Sequence, residues 1–178
     1  MNKKYTFLKP ITKSNNDFIQ LDFILAIEEP ISTNEFINTY KISNFWKGKF
    51  FIKKLVKRVF KYKLNHPMQW NRNFWELIKV YKLKYTYTLP ESIQNLDELY
   101  LELSQGDTKK RFDDIKKYRE LIKKDINLNY PLFISGKVLN LLGADIHDND
   151  IYFLDGTRRL LANILNDNKN NKALIIDT

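Results

Sequence analysis

Five consecutive residues, Asp155-Gly156-Thr157-Arg158-Arg159, bring together a carboxylate, a glycine, a hydroxyl and two guanidinium groups. That combination suits anion chemistry. Guanidinium forks match phosphate oxygens in pairs, and a glycine lets a ligand approach the backbone closely. Ile151-Tyr152-Phe153-Leu154 just upstream reads as a strand, and Leu160, Leu161, Ile164 and Leu165 downstream recur at helical spacing. A strand, a glycine turn and a helix start would aim the first backbone N–H groups of the helix, with their partial positive charge, at a bound anion. A purely structural reading is equally open at this level: Asp155 caps the helix, Gly156 relaxes the turn and the arginines are solvated.

Further elements must hold this turn in place. Upstream, a helix is expected over Ile115 to Lys124, opened by Arg111-Phe112-Asp113-Asp114, then a strand at Tyr130-Pro131-Leu132-Phe133-Ile134. Lys172-Ala173-Leu174-Ile175-Ile176-Asp177 reads as a closing strand, reached through a polar connection at Asn166 to Asn171. Two more strands are expected before the helix. Tyr85 to Leu89 alternates and ends at Pro90, and Leu99-Tyr100-Leu101-Glu102-Leu103 precedes a polar loop from Ser104 to Arg111. His147, in the loop before the signature strand, has a side chain able to carry protons near neutral pH, although a loop histidine more commonly faces solvent.

The N-terminal half has a different character. Phe18 to Leu25 fits a strand or a short buried helix, and Ser32-Thr33-Asn34-Glu35 signals a helix start for Phe36 to Tyr40. From Phe50 to Lys63, apolar residues at 51, 52, 55, 56, 59 and 60 alternate at helical period with lysines and Arg58. His66-Pro67 interrupts the pattern, and a second amphipathic run is expected over Trp70 to Leu83. Residues 36–90 hold thirteen Lys/Arg against the single acid Glu76, whereas the segments on either side are close to balanced, so the net charge of +9 belongs to this stretch. Lysines interleaved with aromatics can line a nucleic-acid groove or lie on an anionic membrane surface; the aromatic stripes can equally be core and the lysines a solvated face. The dominance of lysine over arginine leans against sequence-specific base readout.

Composition bounds the rest. At 178 residues, 43% hydrophobic and 14% aromatic, the chain has ample material for a packed core. There is no cysteine, which excludes disulfides, thiolate metal sites and cysteine nucleophiles. No uncharged apolar run approaches the roughly 18 residues of a membrane-spanning helix. Met1 to Tyr5 lacks a signal-peptide core, so a cytoplasmic protein, with an option of peripheral membrane attachment, is expected.

The Asp155–Arg159 stretch and its flanks resemble the ParB/sulfiredoxin-like superfamily. In that superfamily a helix, a turn, a "P-[IL]-x-[IV]" strand and a second strand lead into a G-x-[RH]-R-type turn that holds a nucleotide phosphate. The match runs over about residues 96 to 178 and gives the expected architecture. It is α+β: a basic, mainly helical N-terminal region (1–90) precedes a small ParB/sulfiredoxin-like α/β domain (91–178). Thr157 stands where sulfiredoxin needs cysteine, which excludes that chemistry. No helix-turn-helix segment follows the closing strand, so DNA clamping of the segregation type is not expected. Asp155 ahead of Gly156 is closer to the D-G-x-[HR]-R turn of the superfamily's small-molecule kinases.

The resemblance therefore implies a nucleotide- or phosphate-binding protein, with a kinase of a small-molecule acceptor, using ATP or another nucleotide with Mg²⁺, as the activity expected of it. Gly156, Thr157, Arg158 and Arg159 would hold the phosphates, with Arg111 facing the nucleotide from its loop. Asp155 would bind Mg²⁺ through water or accept a proton, and Asp107 or Asp113 would act as base. No set of protein metal ligands is expected. The alternative is a non-catalytic module whose basic helices, over residues 47–84, meet a nucleic acid or an anionic membrane.

Overall fold

The computed structural model describes residues 3–10, 18–40, 42, 45–60, 70–106, 109–126, 128–168 and 171–178. In chain order these form β1 (Lys3–Pro10), β2 (Phe18–Ile31), α1 (Thr33–Thr39), α2 (Phe45–Phe60), α3 (Arg72–Leu77), β3 (Lys79–Thr88), α4 (Leu96–Gly106), α5 (Lys109–Lys123), β4 (Leu132–Ser135), α6 (Gly136–Leu141), β5 (Ile151–Asp155), α7 (Thr157–Leu165) and β6 (Lys172–Asp177). Helices with a mixed sheet make the fold α+β. The strands follow the hydrogen-bonded order β1-β2-β3-β6-β4-β5. β1 and β2 are antiparallel from Lys3↔Leu25 to Pro10↔Phe18, β4 and β5 are antiparallel, and β4 and β6 are parallel.

The chain forms two compact units from interleaved segments. Met1–Ala26, Lys84–Leu128 and Gly156–Asn171 make the first; Ile27–Leu83, Asn129–Asp155 and Lys172–Thr178 make the second. Each therefore draws on residues from both sides of position 90.

In the first unit, β2 settles the reading left open for Phe18 to Leu25. Leu21, Phe23 and Leu25 are buried while Ile24 is exposed, the period-2 pattern of a strand. Phe23 meets Tyr85 of β3 edge to face, with ring centroids 5.9 Å apart. α7 packs against α5 and α4. Its Leu160, Leu161, Ile164 and Leu165 are all buried, as the spacing requires, as are Leu99, Leu103 and Ile115 of the two partner helices.

Residues 99–103 differ from expectation: they are helix, not strand. Leu99, Leu101 and Leu103 alternate, but the pair four apart also suits a helix. Leu99 and Leu103 are fully buried and Leu101 is 56% exposed. Asn95 decides the matter locally, because its Oδ1 accepts from the backbone N–H groups of Asp97 and Glu98 and starts α4. The polar loop expected from Ser104 to Arg111 is correspondingly shortened, since α4 runs to Gly106 and α5 begins at Lys109.

The second unit is centred on one apolar cluster. Leu132 and Ile134 of β4 and Leu174 and Ile176 of β6 meet Ile52, Leu55 and Val56 of α2, together with Phe74, Val138 and Leu154. β4 is buried along its whole length, the signature of a strand covered on both faces. α1 begins where Ser32 signals it, with Ser32 Oγ accepting from Glu35 N–H at 3.1 Å. The helix expected from Phe50 starts earlier, at Phe45; Lys61, Lys63, His66 and Pro67 lie outside the described residues. The amphipathic run Trp70 to Leu83 is not one helix. It splits into the short α3, capped by Asn71, and the start of β3. From Val80 onward β-branched and aromatic residues dominate, and Leu83 and Tyr85 are buried between exposed Lys84 and Thr86. With β1, β2 and β3 all falling before residue 89, strands share the N-terminal half with helices.

Candidate functional site

The signature stretch straddles the end of a strand and the start of a helix, as expected. β5 ends at Asp155, whose Cα partners Leu132 in the antiparallel register, and α7 begins at Thr157. Gly156 between them has φ 95° and ψ 21°. That left-handed conformation costs a residue with a Cβ about 1–2 kcal/mol, so glycine is the residue that fits. Gly156, and not Asp155, is the N-cap: its carbonyl accepts from Leu160 N–H at 2.9 Å. An N-cap glycine supplies no side-chain acceptor to the first turn, where Thr157, Arg158 and Arg159 sit half-buried.

Arg158 has a specific partner. Its guanidinium donates to the Asp114 carboxylate of α5, and both side chains remain partly exposed. Further along, Arg119 of α5 donates to Asn166 Oδ1 at 3.0 Å and to the Leu165 carbonyl at 3.2 Å, while Asn166 Nδ2 donates back to the Arg119 carbonyl at 3.0 Å. Asp114 thus meets the start of α7 and Arg119 its end, so the helices run side by side in the same direction. Tyr87 of β3 adds a third hold, donating from its hydroxyl to the Ile164 carbonyl at 3.3 Å. The turn is therefore mounted on a helix fixed at both ends.

α5 also sorts the remaining candidates. Arg111, Asp114, Ile115 and Tyr118 recur at i, i+3, i+4 and i+7 and form its buried or half-buried stripe. Arg111 is therefore a helical residue of this stripe and does not sit in a loop. Asp113, with Lys116 and Lys117, is on the exposed face. The structure brings Asp114 to Arg158, and does not bring Asp113. Asp114 is not among the residues that the motif singles out, although it stands three after Arg111 and four before Tyr118, on the same helical stripe. Asp107 lies outside the described residues. Asp155 belongs to the second unit and is half-buried. Arg111, Asp155, Thr157 and Arg159 all engage other groups of the protein. Among the described residues, no three His, Asp or Glu side chains cluster to hold a metal ion.

The His147 loop, in the second unit, is a structural device. Asn140 Nδ2 donates to the Ile146 carbonyl and to Asp148 Oδ1, each at 2.7 Å, and Asn140 Oδ1 accepts from Ile146 N–H. Gly136 lies so close beneath it that an added Cβ would fall 2.2 Å from the His147 carbonyl oxygen. His147 itself is exposed, its Nδ1 accepting from Asn149 N–H at 3.2 Å.

A second candidate surface lies on α2. The inner side of this helix enters the core, whereas Trp46 is 75% exposed and Phe50 70%. At 100° per residue, Trp46, Phe50 and Lys57 fall within about 40° of one another. Lys47 and Lys54 flank them, also exposed, and the helix contains no acid. Among the described residues, no helix is long and apolar enough to cross a membrane.

Comparison of the chain with protein-family models, with curated proteins and with solved structures gives no match. The ParB/sulfiredoxin-like resemblance accordingly rests on the residues and motifs of this chain alone.

Proposed function

We propose that the Gly156–Arg159 turn binds a phosphate group, and that the protein is a ParB-like nucleotide-binding protein acting as an ATP-dependent kinase of a small acceptor. One observation carries the phosphate reading. A left-handed glycine opens α7 with no capping side chain and sets an arginine in the first turn, a charge arrangement that favours an anion at the helix N-terminus. Arg158 and Arg159 would supply charge-assisted donors, with the Thr157 hydroxyl and first-turn N–H groups beside them. Asp114 holds Arg158, and an incoming phosphate, carrying more charge than a carboxylate, would compete for it. Phosphoryl transfer relies mainly on positioning and charge stabilisation, so few protein groups are needed.

The test is a titration of ATP, ADP and CTP with Mg²⁺ into the wild type and into Arg158→Ala/Arg159→Ala, with circular dichroism to confirm folding. Each lost charge-assisted contact is expected to weaken binding by about 1.5–3 kcal/mol. A folded wild type that binds none of the three overturns the nucleotide reading. Nucleotide binding without phosphate transfer to any acceptor would restrict it to a sensing module.

A second reading is favoured by the exposed Trp46 and Phe50 on an acid-free, lysine-rich helix face. This is the make-up of a surface that rests on anionic lipid, aromatics entering the interface and lysines meeting headgroups. Co-sedimentation with vesicles of neutral or phosphatidylserine-containing lipid, beside duplex and single-stranded DNA, separates the partners. Lipid attachment should retain a salt-resistant part that Trp46→Ala/Phe50→Ala removes. Binding to DNA alone, falling steeply with salt, would give the face to nucleic acid.

A further inference from the structure

A cavity of about 160 Å³ opens in the second unit where α1, α2, α3 and the start of β3 converge. Phe36, Ile37, Ile52, Val80 and the Trp75 indole give it apolar walls, and Ser32 and Thr33 line it as well. Two lysines, Lys49 and Lys79, line it too and, among the described residues, no acidic one does. Lys49 is held in place by aromatic faces, its Nζ lying 5.0 Å from the Trp46 ring centroid and 5.3 Å from that of Trp75.

Gly48 is the second, independent observation. It sits inside α2, where glycine weakens a helix relative to alanine. Neither backbone nor crowding demands it. Its φ is not positive, and an added Cβ would meet only Phe36 at 3.8 Å and Ile37 at 4.0 Å, ordinary contact distances. Yet Gly48 lines the cavity, so a longer side chain at this position would take up part of that space. A helix that gives up stability at one position, and keeps a void there, points to an occupant.

We propose that this cavity binds a small organic monoanion with a ring-sized apolar body, an arylalkyl carboxylate in chemical class. A cavity of about 150 Å³ accepts a benzene ring, so the apolar part fits against Ile52, Val80 and Trp75, and the carboxylate meets Lys49 and Lys79. The site is independent of the Gly156–Arg159 turn, which belongs to the first unit.

The experiment uses 3-phenylpropionate as probe and its neutral amide as control, followed by methyl NMR of the full chain. Wild type is expected to show saturable shifts at Ile37, Ile52 and Val80 in the millimolar range, with the amide at least about fivefold weaker. Gly48→Leu fills the cavity and should weaken binding at least about tenfold while the protein melts no lower than wild type. Gly48→Ala, whose Cβ has room, provides a folded variant should leucine overpack. Lys49→Gln/Lys79→Gln should erase the preference for the acid over the amide. The proposal is overturned by a wild type whose cavity methyls do not move, by a folded Gly48→Leu that binds as well as wild type, or by equal affinity for acid and amide.

Discussion

Arg158 is where the phosphate reading meets the fold most directly, because its guanidinium already has a carboxylate partner in Asp114. A partly exposed ion pair of this kind contributes about 0–1 kcal/mol to stability, the remainder being screened by water. Removing Asp114 therefore has little effect on folding and changes what Arg158 is available to do. Asp114→Asn should leave the melting temperature within a few degrees of wild type and tighten phosphate or nucleotide binding up to about fivefold, the value of the lost competition. Calorimetric titration of the variant beside wild type checks this. Weaker binding by Asp114→Asn would show that the carboxylate positions Arg158 for the ligand and does not compete with it. Gly156 was legible in the sequence, since a strand followed by Asp-Gly and a helical pattern leaves few other places for a left-handed residue. The partnership of Arg158 was not, because an ion pair between helices depends on their relative rotation, which neither helix encodes alone.

Elements whose apolar residues followed one period unambiguously were readable from the chain; those compatible with two periods were not. α7, β5 and β6 form where their patterns place them. At α4, Leu99, Leu101 and Leu103 satisfy strand alternation, while Leu99 and Leu103 also stand one helical turn apart. The Asn95 cap and the burial available against α7 select the helix. β3 shows the converse, a run that begins with helical spacing and is taken over by β-branched and aromatic residues pairing in a sheet, where packing against neighbours overrides local pattern. The two secondary structures at α4 differ in a measurable way. In a strand all three leucines share one face and truncating any of them costs alike. In the helix, Leu99→Ala and Leu103→Ala should each cost about 2–5 kcal/mol, and Leu101→Ala, on the exposed side, should stay within about 0.5 kcal/mol. Denaturant unfolding of the three variants distinguishes the cases.

At the scale of the whole molecule, the sequence's net charge is concentrated in residues 36–90, and burial shifts tyrosines both within that stretch and beyond it. Burial pushes the Tyr85 phenol well above the ordinary tyrosine range, since the surrounding apolar groups cannot solvate a phenolate. Burial likewise raises Tyr87, with Asp167 nearby adding to it, and raises Tyr152, with Asp150 adding to it. In the unfolded chain each of these groups ionises near its ordinary value of about 10. Above that pH the unfolded state has released protons that the folded state still holds, so it binds fewer, and stability falls as pH rises. Below it both states are protonated and the three tyrosines contribute no pH dependence. Stability should therefore decline from about pH 10 upward, and phenolate absorbance from Tyr85 should appear only together with loss of the fold. Tyr85→Phe should flatten the decline, because it removes the strongest of the three linked protonations; an unchanged slope in that variant, or phenolate absorbance reaching its full value while near-UV dichroism is still native, would show that Tyr85 ionises inside the folded protein.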